Sequence, residues 1–135
     1  MAIILDGKKL RDKIFESLKA ELDKMSEKPT LAVILVGENP ASQIYVRNKK
    51  KTAEKLGINS LSIEYPADIS ENELLSKIQE LNNDKNITAI LVQLPLPEHI
   101  NKNKIIDAIL PQKDVDGLTP YNLGKLFSGE EPYVY

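Results

Sequence analysis

Cysteine is absent from the 135 residues of the chain. Disulfides, thiolate metal sites and thiol catalysis are therefore excluded within it, and the composition suits a reducing compartment. Histidine occurs once, at position 99. It has no cysteine, serine or acidic partner at a recognisable spacing and reads as a loop residue. No apolar run approaches the roughly 18 residues that span a bilayer. The apolar residues Ala2–Leu5 ahead of Asp6 are too few for a signal peptide. Six glycines stand at 7, 37, 57, 117, 124 and 129. They form no Gly-x-Gly-x-x-Gly or P-loop pattern, so the chain displays no dinucleotide or triphosphate cradle. A net charge of −2 gives no electrostatic footprint for nucleic acid or a membrane surface. Together these absences point to a cytoplasmic protein with neither nucleic acid nor membrane as partner.

What is present is an ordinary globular mixture, 41% hydrophobic and 28% charged, in a length that suits one domain with its own core. Asp6 caps a first helix in which Leu10, Ile14, Leu18 and Leu22 share one stripe, ending near Met25. Leu31–Val36 is a continuous apolar run, short and β-branched, as a strand buried on both faces requires. Asn39 as cap, Pro40 as first residue and Gly57 as stop delimit a second helix. A strand at Ser60–Tyr65, a helix at Glu71–Leu81, a strand at Ile87–Leu94 and a short helix at Lys102–Leu110 follow. Pro111–Pro120 reads as a loop turning at Asp116-Gly117, and Thr119-Pro120 starts a last helix reaching Leu126. Strands alternating with helices give an α/β fold: three α-β-α layers around a mainly parallel sheet, in one compact domain. Ligands in such folds bind beyond the carboxyl ends of the strands. The loops Gly37–Asn39 and Gln93–His99 belong at that edge.

The second helix carries "NPASQIYVRNKKKTAEKLG", with five basic residues and one acidic. On a helical wheel centred on Tyr45, residues Ala41, Lys49, Thr52 and Leu56 fall within about 40°. Ser42 and Ala53 lie on the same flank. Gln43, Arg47, Lys50, Lys51 and Glu54 take the solvent side. Lys49 thus sits on the face that turns inward, where lysine is rare without a partner. Either its stem packs and its amine snorkels to water, or the amine lines a cleft as a proton carrier. Partial drying disfavours a charged ammonium and would bring a lysine nearer the range useful for acid–base work. Tyr45, one turn earlier, is placed to wall the amine from water or stack on a flat ligand. Ser42 lies a further turn back, with a hydroxyl for either group. Pro40 and Lys49 are about 13 Å apart along the axis, a gap that the backward lean of helical side chains narrows.

Gln93 ends an apolar strand where α/β sheets hold ligands. Its amide both donates and accepts, so it can orient the Lys49 amine. Asp114-Val115-Asp116-Gly117 lacks the oxygen ligands of a calcium loop and reads as a turn, from which Asp116 can anchor a ligand bearing adjacent N–H donors.

"VGENPASQIYVRNKKKTAEKLGI", "VQLPLPEHI" and "PQKDVDGLTPYNLGKL", in that order, resemble the three signature blocks of the bifunctional methylenetetrahydrofolate dehydrogenase/methenyltetrahydrofolate cyclohydrolases. The resemblance covers nearly the whole chain. It implies NADP-dependent oxidation of 5,10-methylenetetrahydrofolate to 5,10-methenyltetrahydrofolate, followed by hydrolysis to 10-formyltetrahydrofolate. Those steps belong to the one-carbon metabolism that serves purine and amino-acid biosynthesis. It also implies that the family's Tyr-x-x-x-Lys pair is Tyr45 and Lys49. On that basis Lys49 is the acid–base group, Tyr45 stacks on the folate, Gln93 tunes Lys49, Asp116 holds the pterin and Ser42 supports. Family members continue into an NADP-binding Rossmann domain that has no counterpart in residues 1–135. The expectation is therefore the folate-binding catalytic half, with hydride transfer absent from this polypeptide. A full-length homodimer is implied, and a monomer is open for the half alone. Two other readings compete. A short-chain dehydrogenase also uses Tyr-x-x-x-Lys but needs a glycine-rich first turn, where this chain has Gly37-Glu38-Asn39-Pro40. A non-catalytic α/β binding or interaction module is the other class, and it describes the half alone even where the parent is an enzyme.

Overall fold

The computed structural model describes residues 5–133, so the apolar opening residues ahead of Leu5 lie outside the described residues. Helices and strands alternate along the chain as α1 (Gly7–Leu22), β1 (Thr30–Val36), α2 (Pro40–Leu56), β2 (Asn59–Tyr65), α3 (Glu71–Asn83), β3 (Ala89–Val92), α4 (Lys102–Asp107) and α5 (Pro120–Ser128). One 3-10 turn, Pro111–Lys113, lies between the last two helices. The helix starts follow from local chemistry. Asp6, Asn39, Ser70, Asn101 and Thr119 each accept first-turn N–H groups on a side-chain oxygen, satisfying donors that have no partner inside the helix. Gly57 ends α2 at a φ of 81°, in the left-handed region that glycine enters without a Cβ clash.

The sheet is parallel in the order β2-β1-β3, with Ile34 opposite both Ile63 and Val92. Central β1 is buried from Ala32 to Val36, as its unbroken apolar run demands. Alternation then sorts its side chains. Ala32, Ile34 and Val36 join Ile90 and Val92 under Leu74, Ile78 and Leu81 of α3 and Ile105 of α4. Val33, Leu35 and Leu91 face Val46 of α2. The result is the three-layer α/β architecture that the helix–strand alternation implies. No described helix is long and apolar enough to cross a membrane.

Three elements differ from the sequence expectation. β3 spans four residues rather than Ile87–Leu94. Ladder bonds run on at both ends, Thr88 N to Thr30 O and Gln93 N to Ile34 O, but Pro95 has no N–H to continue them. α4 stops at Asp107 because Asn82 takes the groups a further turn would need. Its amide donates to Ala108 O at 2.8 Å and accepts from Leu110 N at 3.1 Å. In α1, Leu10, Ile14 and Leu18 are 60%, 47% and 40% exposed and only Leu22, at 8%, is buried. The stripe is real, but among the described residues only its last-turn member is buried.

Candidate active site

The inward stripe of α2 consists of Ser42, Val46, Ala53 and Leu56. It is turned by about 60° from a wheel centred on Tyr45. Val46 takes the inward place because Val33 and Leu35 of β1 lie under it. The turn brings Lys49 closer to the middle of the stripe and carries Tyr45 to its margin, where the ring is 60% exposed. Tyr45 is therefore an open side chain at the mouth of the site rather than a wall that dries the amine.

Lys49 is partly buried and reaches the end of β3. Its Nζ donates to Gln93 Oε1 at 3.2 Å. Gln93 Nε2 in turn donates to Leu94 O at 2.8 Å. An ammonium only donates and a carbonyl only accepts, so these two neighbours fix which way the Gln93 amide faces. Ser42, 2% exposed, donates its hydroxyl to the same Leu94 carbonyl at 3.5 Å. It bonds to neither Lys49 nor Tyr45, because its place one turn nearer the helix start lies beneath the exit of β3. The Leu94–Pro95 peptide that follows is cis.

Beside α2 a cleft of about 410 Å³ runs across the sheet face. Tyr45, Lys49, Thr52 and Leu56 form one wall, Leu31 and Leu91 the floor, and Val115 and Asp116 the opposite rim. Such a mainly apolar hollow with a few convergent polar groups is the usual form of a small-molecule site. Lys49, Tyr45 and Asp116, distant in sequence, thus line one cleft, while Ser42 and Gln93 stand behind the lysine. The Gly37–Asn39 turn contributes no lining residue. Its work is to start α2, with Asn39 Oδ1 accepting Ser42 N at 3.0 Å. His99 bonds through Nε2 to the Ile69 carbonyl at 2.9 Å. No group of three His, Asp or Glu side chains among the described residues is placed to hold a metal ion.

The rim rests on residues that sequence reasoning missed. Asp114 pairs with Ile90 through an isolated parallel bridge, extending the sheet beyond β3. Its carboxylate, 2% exposed, accepts Leu118 N at 3.2 Å, Thr119 N at 2.8 Å and Asn122 Nδ2 at 3.0 Å. Burial pushes this carboxyl up, but the donors on Thr119, Asn122 and Leu118 together outweigh it and hold the group below the ordinary aspartate range. The signal was an aspartate five residues ahead of Thr119-Pro120. Asn122 gave none, since an asparagine in a first helical turn is unremarkable.

The sequence model of the family described as "Tetrahydrofolate dehydrogenase/cyclohydrolase, catalytic domain" matches residues 5–116. A protein of Pediococcus pentosaceus named "Bifunctional protein FolD" is 56% identical over 137 residues, covering 99% of this chain and 48% of that protein. The crystal structure of the bifunctional enzyme FolD, methylenetetrahydrofolate dehydrogenase/cyclohydrolase, from Campylobacter jejuni superposes with a TM-score of 0.91 at 49% identity, covering 96% of this chain and 47% of that one. The Trypanosoma brucei methylenetetrahydrofolate dehydrogenase-cyclohydrolase, solved with NADP cofactor and an inhibitor, gives 0.89 at 34% identity, covering 97% of this chain and 46% of that one. The chain spans about half the length of the relatives it matches. With the family model matching residues 5–116 and the solved relatives covering 96% and 97% of the chain, the chain belongs to the tetrahydrofolate dehydrogenase/cyclohydrolase family, as its catalytic domain.

Proposed function

We propose that residues 1–135 form the folate-binding catalytic domain of a bifunctional enzyme of one-carbon metabolism, which oxidises 5,10-methylenetetrahydrofolate and hydrolyses the methenyl product to 10-formyltetrahydrofolate. The observation that carries the reading is the 3.2 Å bond from Lys49 Nζ to Gln93 Oε1 on the wall of a cleft shared with Tyr45 and Asp116. In the hydrolysis, water adds to the methenyl carbon and loses a proton. The bond from that carbon to N5 then breaks, the carbinol O–H gives its proton to solvent as its oxygen becomes the formyl carbonyl, and N5 gains a proton. One amine placed beside that carbon serves both transfers, taking the first proton and returning the second. Gln93 holds the amine by accepting from it, and Leu94 O holds Gln93. Tyr45 offers a ring face to the pterin at the open mouth. Asp116 accepts from adjacent pterin N–H donors across the cleft. Ser42 supports from behind, through the Leu94 carbonyl.

NADP as hydride acceptor belongs to the same reading, but the described residues do not fit it. The turn after β1 ends in Pro40, which lacks an N–H, and carries the acidic Glu38. Asn39 already occupies the Ser42 N–H. A pyrophosphate needs free N–H groups at that helix start. Cytoplasmic residence and a homodimeric full-length protein, in which other residues hold NADP, complete the proposal.

The test is titration of the chain with a 5,10-methenyltetrahydrofolate analogue. Saturable binding that Asp116→Ala weakens about 100-fold supports the folate site. Absence of binding favours a non-catalytic interaction module.

A further inference from the structure

Asp116 sits in an exposed loop, and a loop carboxylate left to itself is a poor anchor. The loop here is not left to itself. Its first foot is the backbone of Asp114, bridged to Ile90 of β3. Its second foot, the N–H groups of Leu118 and Thr119, is drawn onto the carboxylate of the same Asp114 at 3.2 and 2.8 Å. Gly117 closes the arch at a φ of 65°, with its N–H on Asp114 O at 3.2 Å. One residue therefore grips both ends of the segment that carries Asp116. Asn122, 1% exposed, fixes that residue in turn. Its Nδ2 donates to Asp114 Oδ2 at 3.0 Å and to Pro111 O at 2.9 Å, while its Oδ1 accepts Tyr133 N at 3.2 Å.

The choice of aspartate is informative. Oδ1 takes Leu118 N, and Oδ2 takes both Thr119 N and Asn122 Nδ2. All three neighbours donate, so an asparagine would turn an NH₂ against at least one donor. Its bonds fix the conformation of the four residues between its own backbone and Thr119.

We propose that Asp114 is a positioning residue for Asp116, with Asn122 setting the rotamer of its carboxylate, and that folate affinity depends on the pair through Asp116 alone. The inference rests on the reading of Asp116 as a pterin anchor. A double-mutant cycle with the 5,10-methenyltetrahydrofolate analogue separates the two claims. Asp114→Asn weakens binding about tenfold, and Asn122→Ala, the milder change, about threefold. Neither adds to the loss in an Asp116→Ala background. Equal losses in both backgrounds mean general damage and overturn the positioning role, as does wild-type affinity in Asp114→Asn. If Asp116→Ala itself binds normally, the pterin-anchor reading fails and the proposal falls with it. If Asp116→Ala weakens binding while Asp114→Asn binds normally, only the proposal falls. Amide exchange of the ligand-free chain is the second measurement. In Asp114→Asn, exchange at Leu118 and Thr119 rises about tenfold or more beyond any uniform rise in β1 and α3. Exchange at those two amides that rises no more than that of the sheet overturns it.

Discussion

Under α3 and α4 the sheet presents Ala32, Ile34, Val36, Ile90 and Val92, and Leu74, Ile78, Leu81, Ile105 and Ile109 fill the space above them. Under α2 it presents Val33, Leu35 and Leu91, and the helix answers with Val46 and Ala53 but also with Ser42 and Lys49. The first face is packed for stability. The second is left incomplete, and the missing packing is the cleft beside Leu31, Leu56 and Leu91. A polar group on a packed face needs a partner at once. On an open face it finds one in Gln93 and keeps donor capacity for a ligand. The difference shows where the chain gives up core packing for an open cleft.

The largest effect expected from breaking this contrast is functional. In the full-length protein, Lys49→Met lowers methenyltetrahydrofolate hydrolysis by about 10²- to 10⁴-fold, the usual contribution of a positioned acid–base group. Thermal unfolding stays near the wild-type temperature, because methionine fills the lysine stem's place on a half-open face. Hydrolysis at the normal rate would remove Lys49 from the mechanism.

A matched pair of truncations compares the faces directly. Leu74→Ala, under the packed side, leaves a closed cavity and costs about 4 kcal/mol by denaturant unfolding. Leu56→Ala removes the same atoms beside the cleft, where water already reaches, and costs about 2 kcal/mol. Equal losses would mean that the two faces are packed alike.

This asymmetry also explains what was legible in the sequence. Elements on the packed face announce themselves through unbroken apolar runs and capping residues, so β1 and α3 stand within two residues of their expected bounds. Lys49 and Gln93 were legible for the opposite reason, as polar groups set in apolar surroundings. What lay hidden depends on contacts between distant residues. Asn82 cuts α4 short from 26 residues away. Asp114 and Asn122 are joined across a turn whose pattern resembles any other. The exposure of Tyr45 follows from Val46, whose claim on β1 a wheel drawn by charge does not weigh.

Acid unfolding sharpens the comparison on the cleft side. The Asp114 carboxyl titrates below the ordinary aspartate value, with burial opposed by the donors of Thr119, Asn122 and Leu118. A depressed folded-state pKa adds stability that is fully present above the unfolded value of about 3.9 and is lost as pH falls through the lower, folded value. Stability plotted against pH should therefore drop in that acidic window, and Asp114→Asn should flatten the drop. An unchanged profile in the variant would assign the acid sensitivity elsewhere.

The smallest effect belongs to the packed side, at its wet rim. Glu71 at the start of α3 receives Lys104 Nζ at 2.6 Å and Asn101 N at 2.8 Å, tying α3 to the first turn of α4. The Lys104 hydrogen bond comes first among the causes that hold its carboxyl below the ordinary glutamate value. The pair is solvent-screened, so its charge contributes little. Glu71→Gln should lower the melting temperature slightly at low salt. At molar salt, where the Debye length is about 3 Å, any electrostatic part of that difference should fade. A deficit that persists there would place the value of Glu71 in its bond to Asn101 N rather than in its charge, because that bond caps α4 from outside the helix and salt does not screen it.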